Sequence, residues 1–396
     1  MLSATGPETQ ALARAQALLH EGRPEPALAE IEALLARNPG DADAWFASGQ
    51  AQGMLERHAD AEQAFRNAAR LRPDMHEAHF NVALSLVYQD KLRESVAGFL
   101  AARALVADLP GLEPMLLDVL LQLLQDEHYA DASERLSLPP LPATPLVSVV
   151  VPTRDRPAML RDALESVCAQ DYRNWEAIVV NDGGANVADV LRALPVAAAA
   201  RFKLIQSAQA AGQARARNKG IAAAHGDIVA FLDDDDRYKP DHLTQLVAGL
   251  RASGAALGYT RAEAVWERIE GGRRIDVKRG PASPWYRYSR ALLLVRNCMP
   301  IDNWAVRREC FDLCGNFDET MSCAEDWDLL LRLSRRADMQ QIAEMTTEVR
   351  VREEAVDSVS KRNLLRPMAE LLYRRHAAGG NELVQLAREL YLKSLP

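Results

Sequence analysis

Four consecutive aspartates, Asp233 to Asp236, close the apolar stretch Asp227-Ile-Val-Ala-Phe-Leu232, and Arg-Tyr-Lys-Pro240 follows at once. The apolar stretch reads as a buried strand, and four adjacent carboxylates have to stand at its C-terminal edge, where their mutual repulsion calls for a cation. Mg²⁺ or Mn²⁺ suits such a place, because both take oxygen ligands and bridge to substrate phosphates. A plainer reading stands beside it: a solvated acidic turn that caps the helical pattern beginning near Asp241.

The surrounding residues bear on that choice. Leu146-Val-Ser-Val-Val-Val-Pro152 is a short β-branched run ended by proline, which predicts a buried strand. Thr153-Arg-Asp-Arg-Pro leads into a predicted helix from Ala158 to Gln170. Trp175-Glu-Ala-Ile-Val-Val-Asn181-Asp182-Gly183-Gly184 predicts a second strand ending in an Asp-Gly turn. Strand, helix and strand in this order form a βαβ unit, whose ligands bind outside the carboxyl ends of its strands. Asp182 and Asp235 belong at that edge. A third strand begins at Arg201, and an Ala-rich helix from Gly212 to Ala224 follows, with Gly226 at its stop. Later, Gly315-Asn-Phe317-Asp318-Glu319 precedes a helix with an acidic first turn, Glu325-Asp326-Trp327-Asp328.

These pieces, in this order over residues 146–360, resemble the family 2 glycosyltransferases of the GT-A fold. The matching residues are Pro152-Thr153, Asn181-Asp182-Gly183-Gly184, Ala216-Arg217-Asn218-Lys-Gly220, Phe231-Leu-Asp-Asp-Asp235-Asp236, Asn316-Phe317-Asp318-Glu319 and Glu325-Asp326-Trp327-Asp328. The resemblance implies an α/β, Rossmann-like domain that moves a sugar from a nucleotide diphosphate to an acceptor hydroxyl. In an inverting enzyme a carboxylate takes the acceptor's proton, and the family motif gives that role to Asp326. A metal would stabilise the departing diphosphate. The resemblance makes Asp235 its principal ligand and gives the donor ribose or the metal's waters to Asp233 and Asp234. Asp182 would accept from the nucleotide base, and Pro152, Thr153, Arg154 and Arg217 would complete the donor site. Glu325 and Trp327 would face the acceptor or support the base. Taken singly, Asp182 also reads as an ordinary turn residue, Glu325 and Asp326 as first-turn acids favoured by the helix dipole, and Trp327 with Leu329 to Leu331 as core.

The chain departs from the family pattern at three places. Arg154-Asp155 stands where an aromatic often follows the Thr, Asn181 and Gly184 replace the outer residues of Asp-Asp-Gly-Ser, and Val349-Arg350-Val351-Arg352 lacks a late metal-binding His.

Residues 1–136 are a different object. Trp45, Gly49, Ala61, Phe65, Ala68 and Pro73 fall at positions 4, 8, 20, 24, 27 and 32 of a 34-residue unit starting at Ala42. The same period picks out Ala15, Ala27, Ile31, Leu34 and Pro39 before it, and Ala83, Phe99 and Ala102 after it, with Phe80 one place off from Trp45. The period resembles the tetratricopeptide repeat, three copies over about residues 8–109, each a helical hairpin. Residues 110–136 read as a further, capping hairpin, and the four prolines of 137–145 as a stiff linker to a catalytic domain over 146–396. Such a stack binds a protein segment or another copy of itself, or serves as a structural prop.

Residues 1–140 hold 11 Lys and Arg against 21 Asp and Glu, which disfavours nucleic acid and anionic membrane as partners. No stretch is long and apolar enough to span a bilayer, and the N-terminus lacks signal-peptide regions. The expected location is the cytoplasm, with peripheral contact at the inner face of the membrane. Five cysteines without zinc-site spacing read as reduced thiols. Glu270 to Tyr288, basic and rich in Gly, Pro and aromatics, reads either as a lid ordered by donor or as an exposed connector.

The expectation is therefore a metal-dependent, inverting glycosyltransferase acting on a protein or glycan, with repeats that recruit the acceptor or a partner. Two competitors remain: a catalytically inactive transferase-like scaffold, and a nucleotidyltransferase on a similar sheet, which would need a Gly-rich loop where Pro152-Thr-Arg-Asp-Arg-Pro stands.

Overall fold

The structure is a computed structural model that describes residues 7–127, 136–270, 273–282, 286–352 and 363–396. The chain divides into two compact units, residues 1–123 and 124–396.

The first unit is a stack of helices: α1 (Pro7–His20), α2 (Pro24–Arg37), α3 (Ala42–Met54), α4 (His58–Leu71), α5 (His76–Tyr88), α6 (Leu92–Leu105) and α7 (Leu112–Leu124). The 34-residue period becomes three hairpins, α1/α2, α3/α4 and α5/α6. Small residues set their closeness: a Cβ at Gly49 would meet the Phe65 ring at 2.6 Å, so only glycine lets α3 and α4 cross there. The repeat also carries an aromatic pair, Phe46 with Phe65 at 5.3 Å and Phe80 with Phe99 at 5.7 Å. Phe80 is thus the equivalent of Phe46, not a displaced Trp45; the indole instead donates to the Pro39 carbonyl between hairpins at 2.9 Å. A groove of 690 Å³ runs along α1, α3 and α5, with Phe46, Met54, His58, Leu84 and Tyr88 on its walls. Of the expected capping hairpin α7 is present, and residues 128–135 lie outside the described residues. Residues 136–146 take no regular secondary structure, as their prolines require.

In the second unit the elements run β1 (Val147–Thr153), α8 (Pro157–Cys168), β2 (Trp175–Asn181), α9 (Ala188–Arg192), α10 (Val196–Ala199), β3 (Phe202–Gln206), α11 (Gln213–Ala223), β4 (Ile228–Phe231), β5 (Arg237–Tyr238), α12 (His242–Ser253), β6 (Leu257–Glu270), β7 (Arg273–Pro281), α13 (Arg290–Leu293), β8 (Trp304–Arg307), α14 (Glu309–Cys314), α15 (Glu325–Ser334), β9 (Met339–Arg352), α16 (Leu365–Arg375) and α17 (Glu382–Ser394). Among the described residues these strands make one sheet in the order β3-β2-β1-β4-β8-β6-β9-β5, with β7 added to β6. The first four are parallel, and β8 is antiparallel to both β4 and β6. This is an α/β sheet of the GT-A kind.

The parallel half is buried on both faces, which is why β1, β2 and β4 read as unbroken apolar runs rather than alternating ones. Val149, Val151, Ala177 and Val179 pack with α8 and α12 on one face, and Ile178 and Val180 with Ala216 of α11 on the other. Each Val or Ile among them contributes roughly 1.5–3 kcal/mol of burial. Gly220 lets α11 lie against β1, since a Cβ there would come within 2.3 Å of Val150. That close approach brings Arg217 and Asn218, just before it in α11, to the sheet's carboxyl edge.

Residues 273–281, read from sequence within a connector or lid, form strand β7 in a hairpin with β6. Ile275 and Val277 alternate with charged residues there, a strand pattern that the flanking Gly and Pro residues obscured. Residues 271–272 and 283–285 of that segment lie outside the described residues.

Candidate active site

Thr153 ends β1, Asp182 follows β2, and Asp233 to Asp236 follow β4, so three parallel neighbours deliver their polar residues to one edge. The acid run splits there into two flanks.

On one flank Arg217 of α11 is 3% exposed and holds two acids at once: Nη2 donates to Asp233 Oδ1 at 2.7 Å and Nη1 to Glu325 Oε1 at 2.5 Å. Asn218 beside it binds the Phe317 backbone in both directions, at 2.9 and 3.0 Å. Phe317 in turn packs edge-on against Phe231 at 5.3 Å. Three motifs far apart in sequence are thereby fastened into one block. The α15 acids enter it through Ala324, whose φ of 59° is left-handed, an arrangement that costs a non-glycine residue about 1 kcal/mol or more. Asp326 receives Asn297 Nδ2 at 2.8 Å on Oδ2 and the Trp327 amide at 2.7 Å on Oδ1. Burial, with Glu325 second, lifts its carboxyl to about 6. Trp327 points away into the core and donates its indole N–H to the Leu293 carbonyl at 2.7 Å. It and Leu329 to Leu331 are buried, and Trp327 supports α15 rather than lining the site.

On the other flank Asp234 accepts from Thr153 Oγ1 at 2.7 Å and from Arg156 at 3.2 Å. Burial foremost, and then Asp235, raises the Asp234 carboxyl to about 6. Asp235 Oδ2 takes two guanidinium groups, Arg156 at 3.1 Å and Arg352 from the end of β9. Burial and the neighbouring Asp233 nevertheless raise its pKa. Behind the run, Asp302 accepts the Asp233 amide at 2.6 Å and is hydrogen-bonded to Asp236, which accepts the Arg350 amide at 2.7 Å. Both Asp236 and Asp302 are raised, first by burial and then by the charge of Asp302 and Asp233 respectively, so this pair is a structural anchor for the loop.

Asp182 lies in the floor beside β2. Its carboxylate accepts from the amides of Ala211, at 2.9 and 3.0 Å, and Gly212, at 2.8 Å, which organises the loop leading into α11. Gly183 is required after it: φ is +75°, and a Cβ would sit 2.3 Å from the Ala210 nitrogen. Pro152 is buried within β1. Arg154 is 60% exposed, 3.7 Å from Asp155, and does not join the acid run.

The edge thus gathers Thr153, Asp182, Arg217, Asp233, Asp234, Asp235, Glu325 and Asp326. Sequence reasoning missed Arg156, Asn297, Asp302 and Arg352. Arg350-Val-Arg352 carried the only signal, as a departure from a metal-ligand pattern; Asn297 and Asp302 lie in no motif. Among the described residues no three acid, His or Cys side chains come together as a metal cage. The open flank instead fits a hard cation held by Asp235 together with a ligand's own phosphates, since Asp235 stands among neighbouring carboxylates and its side chain is still 24% exposed.

The family model described as "Glycosyl transferase family 2" matches residues 148–314, and one for the tetratricopeptide repeat matches residues 8–51. WcaA of Escherichia coli (strain K12), whose name assigns it provisionally as a glycosyl transferase of colanic acid biosynthesis, is 29% identical over 192 residues, 48% of this chain. The O-antigen biosynthesis protein RfbC of Myxococcus xanthus is 31% identical over 195 residues, also 48% of this chain. This chain spans 66% of the length of WcaA and 14% of that of RfbC. Among solved structures, the mannosyltransferase PcManGT from Pyrobaculum calidifontis in complex with GDP-Man and Mn²⁺ superposes with a TM-score of 0.49 at 16% identity, covering 76% of this chain and 85% of its own.

Proposed function

We infer, for a chain whose residues 148–314 are a glycosyl transferase family 2 domain, that it transfers a sugar from a nucleotide-diphosphate donor to an acceptor hydroxyl with inversion at the anomeric carbon. The observation that supports this best is that Arg217 ties Asp233 of the acid run to Glu325, which sets the neighbouring Asp326, its carboxyl lifted to about 6 by burial, at the same edge.

In this reading the acceptor oxygen attacks the anomeric carbon and its proton passes to Asp326. The bond to the diphosphate breaks with its electron pair on the phosphate oxygen. A carboxyl near 6 is mostly ionised at neutral pH yet basic enough to take the proton as the bond forms. Asn297 and the Trp327 amide hold Asp326 to one rotamer, which fixes where the acceptor must stand. Asp233 and Asp234 line the donor ribose, and Asp182 with Thr153 shapes the base side. Mn²⁺ or Mg²⁺, held by Asp235 and the donor phosphates, would supply Lewis-acid charge to the leaving group.

The repeats recruit the acceptor in this scheme. Their groove is lined by apolar, aromatic and polar side chains without a carboxylate, Lys or Arg, including a stacked His58–Tyr88 pair at 4.6 Å, within an acidic unit. Such walls suit a polypeptide rather than a polyanion. We place the reaction in the cytoplasm; among the described residues no helix is long and apolar enough to cross a membrane.

Calorimetric titration of UDP, GDP, dTDP and CMP in Mn²⁺ tests the donor site. One nucleotide should bind, and Asp235→Ala should abolish its metal-dependent component. Failure of all four in the wild type would favour an inactive scaffold instead.

A further inference from the structure

Arginines are numerous on the face that carries β5, β6, β7 and β9, and most are committed to acids. Arg350 meets Glu267, Asp276 and Glu348, and Arg279 meets Glu263, Asp276 and Glu348. Arg352 also reaches Glu267, and what sets Arg156 and Arg352 apart is the acceptor they share. They converge on a single oxygen, Asp235 Oδ2, from opposite ends of the sequence, one at the start of α8 and one at the end of β9. Arg156 spends Nη1 on Asp234 and Asp235. Arg352 spends Nη2 on Asp235 and Nη1 on the weak acceptor Met159 Sδ, and its Nε lies 3.7 Å from Glu267 Oε1, within ion-pair range but without a hydrogen bond. Each guanidinium carries five N–H donors in a flat fork, so both keep donors unspent at the edge where the acid run ends.

Two cations on one carboxylate oxygen repel each other, and that oxygen cannot satisfy either fork. A diphosphate can, because it offers several charged oxygens in the spacing that guanidinium groups meet in pairs. We propose that Arg156 and Arg352 form a clamp for the donor's diphosphate, parked on Asp235 in the free protein and transferred to the phosphates when donor binds. Resting on the donor-site reading above, this assigns part of the leaving-group charge to side chains of this chain, in addition to any cation. Asp235 then has two uses, as a holder for the arginines and as a carboxylate for the cation once they leave it.

The two uses have opposite signs in one experiment. Pyrophosphate, phosphate, UDP, UMP, GDP and GMP are titrated into the full chain, first in EDTA and then, for the nucleotides, in Mn²⁺. In EDTA the wild type should prefer pyrophosphate to phosphate, and diphosphate nucleotides to monophosphates, by about tenfold or more. Arg352→Ala and Arg156→Ala should erase that preference, Arg352→Lys should keep part of it, and Arg279→Ala on the same face should leave it intact. Asp235→Ala should strengthen pyrophosphate binding in EDTA, because the clamp is released, while losing the Mn²⁺-dependent increment for nucleotides. The inference is overturned if the preference exists only in Mn²⁺, or if Arg352→Ala and Arg156→Ala leave it unchanged; the donor site then stands on the metal alone. No nucleotide binding under any condition would overturn the donor site itself and the clamp with it.

Discussion

Asp233 and Asp235 stand two residues apart, and arginine holds each of them in a different way. On the Asp233 flank one guanidinium, 3% exposed, gives its two terminal nitrogens to two separate carboxylates, and neighbouring side chains lock its helix to the Phe317 loop. On the Asp235 flank two guanidiniums share one oxygen and stay partly open, at 35% and 17% exposure. The first arrangement is architecture: it holds α11, β4 and α15 in register so that Asp326 faces the acid run. The second is loose enough to exchange one anion for another. A run of like residues can therefore serve two purposes when its members meet different elements, Asp233 the middle of α11 and Asp234 with Asp235 the start of α8 and the end of β9.

The contrast breaks most visibly at Arg217. Its removal strands Asp233 and Glu325 without a counter-charge, and breaking a buried pair of this kind costs about 3–5 kcal/mol. Arg217→Ala should lower the urea midpoint of the second unit strongly and abolish nucleotide binding. Arg352→Ala should leave the unfolding free energy within about 0.5 kcal/mol of the wild type, because its pair with Asp235 is partly open. Equal loss of stability in the two variants would show that both flanks are structural.

This division explains what the sequence disclosed. Strands β1, β2 and β4 announced themselves as apolar, largely β-branched runs, because burial on both faces leaves little room for alternation, whereas the edge strand β3 is only half-buried and carries Lys203. The repeats announced themselves by period, because each contact in a hairpin is local and recurs after 34 residues. The acid run and Asp182 were legible because they sit at the ends of such strands, and Arg217 and Asp326 because each lies in a short motif on a helix, Ala216-Arg217-Asn218 in α11 and Glu325-Asp326-Trp327 at the start of α15. Asn297, Asp302 and Arg352 reach the site by tertiary placement alone: Asp302 from a short turn before β8, Arg352 from the far end of a long strand that alternates charge and apolar residues. Strand β7 was hidden for a related reason. Its hairpin with β6 is solvent-facing, so it carries charge where a buried strand would carry Val or Ile.

The buried flank is sharpened next by chemistry. Asp326→Asn keeps the shape and removes the base, so turnover of a nucleotide sugar should fall by about 10²–10⁴-fold while nucleotide affinity is kept. With the Asp326 carboxyl at about 6, the wild-type kcat/KM should rise with pH through that value and level off above it. A flat acid limb, or a mutant as active as the wild type, would remove Asp326 from the base's role. The open flank has its own pH signature, in stability. Asp234 is held at about 6 in the folded state against 3.8 unfolded, so the native chain binds more protons between those values and stability falls as pH rises through that window. Asp234→Asn should flatten part of that slope in thermal unfolding measured between pH 4 and 7. An unchanged slope would mean that this carboxyl does not titrate as its burial requires.

Asn297 gives the finest test, because it acts on the base without being one. Its amide donates to Asp326 Oδ2 at 2.8 Å, a bond that favours the ionised carboxylate. Asn297→Ala removes that stabilisation and one restraint on the side chain, so the acid limb of the kcat/KM profile should move to higher pH. Near neutrality the loss should be about tenfold, the worth of one hydrogen bond to a charged group. Because the bond lies on the buried flank, Mn²⁺-dependent and metal-free nucleotide binding should both be preserved. A purely structural role would lower the rate at every pH and leave the limb where it was. Movement of the limb with unchanged nucleotide affinity would show that the two flanks of one acid run can be tuned separately, the base through Asn297 and the donor through Arg156 and Arg352.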